Sequence, residues 1–515
     1  MRLTHRLAVL LAALAAFSLA AAAHAGPTVR VAGGTIDGDQ TGDIRVFRGI
    51  PFAAPPVGPL RWRPPQAPAA WTGARPAHEF GPACPQANRQ DGLGGGVASN
   101  QSEDCLTLNV WAPANARGLP VMVWIHGGGH RIGSGSFPIY DGANLARQGV
   151  ILVSINYRLG YLGYFAHPSL TAEAGPNGAV GNYGFMDQVA ALEWVRDNIA
   201  AFGGDPGNVT AFGESAGGAS LLYLITSPRS QGLFQRAIIQ SGGGVQNGAN
   251  LAQTEAAGQG IATRLGLPAN ASVAALRALP AADVVAIQGG LSGGLGFGPF
   301  IDGRLITEAP WRAFAAGHAA DIPLIIGANS NEASVLTAMG APANLDTVAG
   351  GRLAAMRVAY GAPPLSDAEM LRQALGDAVF VAPARIVAAA AASGAPTYLY
   401  HFSYVPVVRR GRIPGAAHGS EIPFVFDSWD QIPFAARFVR DQDRQMIQTM
   451  QSCWVSFART DRPACTGAPA WPAYSASTDS LMEFGEEVAV RTGFRRSQMQ
   501  FIANRMMTMA PAASP

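Results

Sequence analysis

Residues 202–217, Phe202-Gly-Gly-Asp-Pro-Gly-Asn-Val-Thr-Ala-Phe-Gly-Glu-Ser-Ala-Gly217, decide the fold. Residues 208–212 have the character of a strand, and 216–225 continue as a helical pattern. Between them stands Gly213-Glu214-Ser215-Ala216-Gly217, a G-x-S-x-G pentapeptide. Strand, sharp turn and helix form the setting in which small flanking residues let a serine project from the edge of a sheet. A second match, Gly290-Leu291-Ser292-Gly293-Gly294, follows a helical pattern within the Gly-rich run 289–298, which predicts a mobile loop. Context therefore selects Ser215 over Ser292 as a nucleophile.

The neighbouring sequence extends the alternation. Residues 106–111, 121–125, 150–156 and 323–326 are apolar runs of strand length bounded by Gly, Pro or Asn. Several are apolar throughout, as strands covered on both faces are. Shorter β-rich runs fall at 28–31 and 44–47, and the Pro-rich segment 51–65 excludes helix or central strand. Residues 182–202 carry apolar positions at helical spacing. Strand and helix in alternation predict an α/β fold, a mostly parallel central sheet with helices on both faces. Residues 251–287 and 353–393 read as Ala-rich helical insertions over the C-terminal edge of that sheet. No linker, charge run or repeat divides residues 26–515, which are expected to form a single domain.

Composition narrows the function. Of 515 residues 48% are hydrophobic and only 14% charged, which favours a large buried core over a disordered chain. The 36 basic residues, all Arg, nearly balance 34 acidic ones, so nucleic-acid binding has no electrostatic footprint. Arg2, His5 and Arg6 precede an apolar run over 7–23, and Ala23-His24-Ala25 fits a cleavage site. Residues 1–25 are thus read as a signal peptide and Gly26 as the mature start, giving an exported protein, periplasmic or released. A membrane anchor is the competing reading of the run, and no later stretch reads as long and apolar enough to span a bilayer. The cysteines Cys84, Cys105, Cys453 and Cys465 allow three pairings, and none has the C-x-x-C spacing of a metal or redox site. Pairing by proximity joins 84 with 105 and 453 with 465.

A serine hydroxyl needs activation and a place for the developing oxyanion. His126-Gly127-Gly128-Gly129 follows the strand at 121–125 directly, and its consecutive glycines let backbone N–H groups approach a substrate oxygen. Gly128 and Gly129, with the N–H of Ala216, are the expected oxyanion donors. His418, in Pro414-Gly-Ala-Ala-His-Gly-Ser-Glu421, is the expected base, and Glu332, a few residues past the strand at 323–326, the acid that orients it. A surface role for a loop His or Glu is the competing reading of each taken alone. His126 and His130 are four apart, but a triple-glycine turn denies them the helix a metal pair needs. No metal or cofactor is expected.

Together these residues resemble the type-B carboxylesterase family, which also contains the cholinesterases. The likeness includes Phe47-Arg-Gly-Ile-Pro-Phe52, Glu103-Asp-Cys-Leu-Thr-Leu-Asn109, Asn156-Tyr-Arg-Leu-Gly160 and the stretch 202–217. The resemblance implies an α/β-hydrolase fold and a serine ester hydrolase working through an acyl-enzyme on a small ester and water. It implies Ser215, Glu332 and His418 as triad, and a Cys84–Cys105 disulfide. It also implies supporting roles for Glu214, Ser241 and Glu421 near the histidine. Two departures stand out. His130 replaces the family's common aromatic residue, which predicts a more polar acyl-side wall. The segment between Cys84 and Cys105 lacks the Trp on which cholinesterases bind their cation, so no choline specificity is expected.

Three further readings compete. Some relatives with this fold are recognition modules without the nucleophile, but here all three catalytic residue types are present. Within hydrolysis a lipase, lactonase or amidase competes, and lipase action needs an apolar lid that the sequence does not establish. Arg409, Arg410 and Arg412 suggest either an anionic ester or a solvated basic loop.

Overall fold

The computed structural model describes residues 26–87, 96, 98–245, 247–288, 297–340, 344–361 and 364–509. The proposed signal peptide, the Ser292 motif and most of the Gly-rich run 289–298 lie outside the described residues.

Fourteen strands are described. β1 (Thr28–Val31), β2 (Gly34–Asp37) and β5 (Ala74–Pro76) form a small sheet of their own. The other eleven are β3 (Asp39–Thr41), β4 (Ile44–Pro51), β6 (Thr107–Pro113), β7 (Leu119–Ile125), β8 (Ile151–Ile155), β9 (Gly204–Glu214), β10 (Arg236–Gln240), β11 (Leu324–Asn329), β12 (Thr397–Phe402), β13 (Ser480–Phe484) and β14 (Val488–Thr492). They form one sheet in the order β14-β13-β12-β11-β10-β9-β7-β8-β6-β4-β3. From β8 across to β13 every neighbouring pair is parallel, and antiparallel pairing is confined to the two edges.

The apolar runs are explained by coverage. In β7, Val121, Val123 and Ile125 point into one apolar layer while Met122 and Trp124 point into the other, and all five are fully buried. The first layer holds the helices Tyr183–Asn198 and Ala216–Thr226; the second holds Ile422–Phe426 and Asp441–Thr460. A strand with helices on both faces has no solvent side, so the two-residue alternation vanishes from its sequence.

Every strand anticipated from the sequence is present, several longer than expected. β2, β3, β5, β10, β12, β13 and β14 were not anticipated, nor was the helix Asp441–Thr460. The insertion at 251–287 contains three helices, Leu251–Arg264, Val273–Arg277 and Ala281–Ala286. In the second insertion the helices Asp367–Gly376 and Ala382–Ala391 are joined by one wide π turn, Asp377–Val381. Pro383, just beyond, has no N–H to give a tighter turn.

One expectation is corrected here. The stretch Asp367–Ala391, with a mean hydropathy of 1.6, is long and apolar enough to cross a membrane by length and composition. Half of that window is buried inside the protein. Two of its charged groups are committed to internal ion pairs, Asp377 to Arg495 and Arg385 to Asp479. Coverage by the fold is the physical reason for its apolar sequence, as it is for the strands. Both cysteine pairs form disulfides, Cys84–Cys105 and Cys453–Cys465, as proximity predicts. Such bonds persist in extracytoplasmic compartments.

Candidate active site

Parallel strands end on one edge, and the candidate residues follow four adjacent ends. The glycine turn follows β7, Ser215 follows β9, Ser241 follows β10 and Glu332 lies three residues past β11. Register keeps these ends level: Gly213 pairs with Ile125, Glu214 with Gln240, and Gln240 with Gly327. A crevice beyond the carboxyl ends of such strands is where open α/β sheets place their ligands.

Ser215 occupies the sharp turn that the pentapeptide predicts. Its backbone has φ 55° and ψ −122°, a conformation costly for a residue with a Cβ. The turn is held by its N–H donating to the Gln240 carbonyl at 2.8 Å, and by its carbonyl accepting from Ala219 at 2.8 Å. Ala216 then opens the helix Ala216–Thr226, where an N–H has no carbonyl within the helix to bind.

The glycine turn packs directly on this elbow. A Cβ on Gly127 would lie 2.8 Å from the Glu214 carbonyl oxygen and 3.0 Å from the Ser215 Cβ. Gly128 has φ 100°, and a Cβ there would overlap the Ile132 carbonyl, so both positions require glycine. Gly129 and Ala216 line one cavity with Ser215.

His418 reaches the site on a loop after β12. A parallel bridge between Asn331 and Ala417 ties this loop to the one carrying Glu332, and the His418 N–H donates to the Ser334 hydroxyl at 3.0 Å. The imidazole Nδ1 lies 2.5 Å from Glu332 Oε2. Glu332 is fixed in turn through Oε1, which accepts from the Ser241 hydroxyl at 2.5 Å and the Asn329 N–H at 2.7 Å. On the far side of the ring, Nε2 lies 3.1 Å from Glu214 Oε1. Burial alone would lower the His418 pKa; the carboxylates Glu214 and Glu332 outweigh it and raise it to about 9. Burial pushes Glu214 up to about 8.

The three expected supporting residues are therefore placed differently from one another. Glu214 faces the imidazole, Ser241 holds the acid, and Glu421 touches neither. Glu421 is buried and accepts from Gln240 at 3.0 Å and from Asn329 Nδ2 at 2.5 Å, linking the ends of β10 and β11. Gln240 and Asn329 were missed by sequence reasoning. Each is a lone amide closing an apolar strand, directly before a turn, and that signal could have identified both. Phe380, from the π turn, was also missed: its ring centroid lies 4.8 Å from that of His418.

A cavity of about 120 Å³ opens beside Ser215, walled by Leu222, Phe297, Met339, Val379 and Phe380. His130 lines it too, with φ 57°. Its Nε2 lies 3.0 Å from the Ser220 hydroxyl, which accepts from Gln188, and its Nδ1 lies 3.3 Å from the Phe297 carbonyl. Burial lowers its pKa to about 4, so the ring is neutral. Both nitrogens are engaged internally, so the extra polarity expected of His130 does not face the cavity. Arg410 pairs with Glu486 at 3.2 Å, and Arg409 and Arg412 are exposed, as in a solvated loop. Among the described residues no group of three or more His, Cys, Asp or Glu could hold a metal.

Sheet order, serine elbow and buried His–Glu pair define an α/β-hydrolase. A profile described as the carboxylesterase family matches residues 25–351 and 363–502, and the chain belongs to that family. It is 39% identical over 485 residues to the fumonisin B1 esterase of Sphingopyxis macrogoltabida, covering 89% of this chain and 86% of that protein. It is 38% identical over 476 residues to the para-nitrobenzyl esterase of Bacillus subtilis (strain 168), covering 89% and 94%. A solved structure of a PNB esterase superposes with a TM-score of 0.81 at 34% identity, covering 92% of this chain and 99% of that one. A carboxylesterase of Geobacillus stearothermophilus superposes with a TM-score of 0.78 at the same identity. The chain is thus a carboxylic ester hydrolase, acting on an ester and water.

Proposed function

We propose that hydrolysis proceeds in two steps through an acyl-enzyme on Ser215. His418 Nε2 takes the hydroxyl proton as the oxygen attacks the ester carbonyl, and the N–H groups of Gly128, Gly129 and Ala216 receive the developing oxyanion. The same nitrogen protonates the leaving alcohol, then activates a water that releases the acid. Each oxyanion donor supplies about 3 kcal/mol in the transition state. The observation that carries this reading is the fixed imidazole. Nδ1 is committed to a Glu332 carboxylate that Ser241 and Asn329 already hold, so proton exchange falls to Nε2, the nitrogen that faces Glu214 Oε1 at 3.1 Å. Residues 26–515 are proposed as one catalytic domain, exported by residues 1–25 to the periplasm or beyond the cell.

The relatives are named for different substrates, fumonisin B1 in one and p-nitrobenzyl esters in another, so a broad ester panel is the first test. Purified mature protein and Ser215→Ala are compared on p-nitrophenyl esters from acetate to dodecanoate. Turnover that vanishes in the variant is expected, with short acyl chains preferred because the cavity beside Ser215 is small. Folded wild-type protein inactive on every ester would overturn the reading and favour a non-catalytic recognition module.

A further inference from the structure

The expected oxyanion donors come from two separate segments of chain. Gly128 and Gly129 lie past the end of β7, and Ala216 lies past the end of β9. The last pairing between those strands joins Ile125 to Gly213. Beyond that pair the spacing of the donors rests on packing and side-chain bonds. Spacing matters because a donor serves the transition state only when held about 2.7–3.1 Å from the position the oxyanion takes.

His130 follows the donors directly and bridges the two segments. Its Nε2 lies 3.0 Å from the Ser220 hydroxyl, on the helix that Ala216 opens and one turn further along it. Its Nδ1 lies 3.3 Å from the Phe297 carbonyl. A carbonyl only accepts and a neutral imidazole has a single N–H, so Nδ1 donates and Nε2 accepts from Ser220. The Ser220 hydroxyl is then fully directed. Its proton goes to His130, and its oxygen accepts from Gln188 Nε2 at 3.0 Å. His130, Ser220 and Gln188 are all buried, so the network is closed to solvent. The backbone of the turn is closed as well. The N–H groups of Arg131 and Ile132 both donate to the Gly128 carbonyl at 3.1 Å, and the Gly160 N–H donates to the His130 carbonyl at 2.8 Å. His130 itself holds φ 57°, a conformation that persists in a residue with a Cβ only where its surroundings over-determine it.

We infer that His130 is a positioning residue for the oxyanion hole: through Ser220 it locks the glycine turn to the elbow helix, and so sets the spacing between the Gly128 and Gly129 donors and the Ala216 donor. The inference rests on the oxyanion-hole reading above. An aromatic ring, the family's common residue at this position, would fill the same space and supply neither bond. The Ser220 hydroxyl and the Phe297 carbonyl would each lose a buried partner, and packing alone would hold turn to helix. The loss would fall on the transition state. Charge on the substrate oxygen develops only there, so a loosened hole lowers kcat and leaves KM nearly unchanged.

The test measures kcat and KM for p-nitrophenyl acetate and the inhibition constant of propyl trifluoromethyl ketone, whose adduct with Ser215 carries the oxyanion. Wild type, His130→Phe, Ser220→Ala and the double variant are compared. In His130→Phe, kcat should fall about tenfold or more while KM stays within about twofold, and the inhibition constant should rise by the factor that kcat/KM loses. Ser220→Ala cuts the same link from the other side and should show the same split, which keeps the inference testable if the ring variant does not fold. The double variant should lose no more than the worse single one, because both changes remove one connection. An inhibition constant unchanged in folded Ser220→Ala, or losses that multiply in the double variant, would overturn the inference. Wild type that binds the trifluoromethyl ketone no tighter than propyl methyl ketone would overturn the oxyanion-hole reading, and the inference with it.

Discussion

Replacing Glu332 by Gln keeps shape and volume and tests the proposed triad through one proton. Oε1 accepts two hydrogen bonds, from the Ser241 hydroxyl at 2.5 Å and the Asn329 N–H at 2.7 Å, while Oε2 serves only His418 Nδ1 at 2.5 Å. A carboxamide has one oxygen. Placed towards His418, it would turn its NH2 onto the Asn329 N–H, which can only donate, and onto a Ser241 hydroxyl that would lose its present acceptor in a buried site. Each loss costs about 1–3 kcal/mol. The amide therefore turns its oxygen to Ser241 and Asn329 and its NH2 to Nδ1. Nδ1 must then accept, the imidazole proton moves to Nε2, and His418 can no longer take the Ser215 proton. A wrong tautomer of this kind costs a factor of about 10⁴, or roughly 5–6 kcal/mol of transition-state stabilisation. Steady-state kinetics on p-nitrophenyl acetate should show kcat/KM down by that factor, with a melting curve close to wild type. A loss below about tenfold in a folded variant would refute the tautomer argument.

Three other perturbations probe separate parts of the site. Ser215→Gly and Ser215→Ala should both be inactive, yet the glycine variant should melt higher by about 1 kcal/mol, because φ 55° with ψ −122° suits glycine; equal melting would mean the elbow stores no strain. Glu214→Gln removes a carboxylate that raises the His418 pKa, so base function, lost as pH falls through that titration, should persist to lower pH. The acid limb of the kcat/KM profile should move down by about one unit or more, and an upward shift would refute the assignment. Asp187→Asn breaks an ion pair in which Arg158 donates through Nε and Nη2, both at 2.8 Å, with both side chains almost fully buried. Leaving that guanidinium uncompensated should cost about 3–5 kcal/mol by urea unfolding, and a change under about 1 kcal/mol would refute it.

The sequence was most legible where one local pattern carries the whole signal. The elbow at 213–217 needs only a strand, a small-residue turn and a helix, and all three are contiguous. The glycine turn at 127–129 is similarly self-contained. Glu332 and His418 were weaker as isolated residues, because what makes them a pair is the bridge between Asn331 and Ala417, a contact across 86 residues. β10 was overlooked because Arg236 and Gln240 bracket only three apolar residues. Both are buried only because distant partners satisfy them, Asp461 for the arginine, and Glu421 and Trp454 for the amide. The stretch 367–391 was read as helical, but its length and apolar character were underrated; both reflect burial by neighbours that composition alone does not reveal.

The π turn at Asp377–Val381 has a consequence for how this chain can change. A helix that acquires an extra residue must either rotate everything beyond it by about 100° or absorb the addition in one widened turn. Here both flanks remain seated, Met370 and Ala374 in one apolar cluster, Val387 and Ala388 against the main sheet. The surplus is taken up where Asp377 is clamped by Tyr360 and Arg495, and where Phe380 meets His418. Substitutions at Val379 and Phe380 can reshape the cavity wall while both flanks stay seated. Deleting any one of these residues cannot, because a uniform helix would have to surrender either its outer seat, its seat on the sheet, or the ring beside the histidine. Point changes and length changes in this segment therefore belong to different classes of evolutionary step.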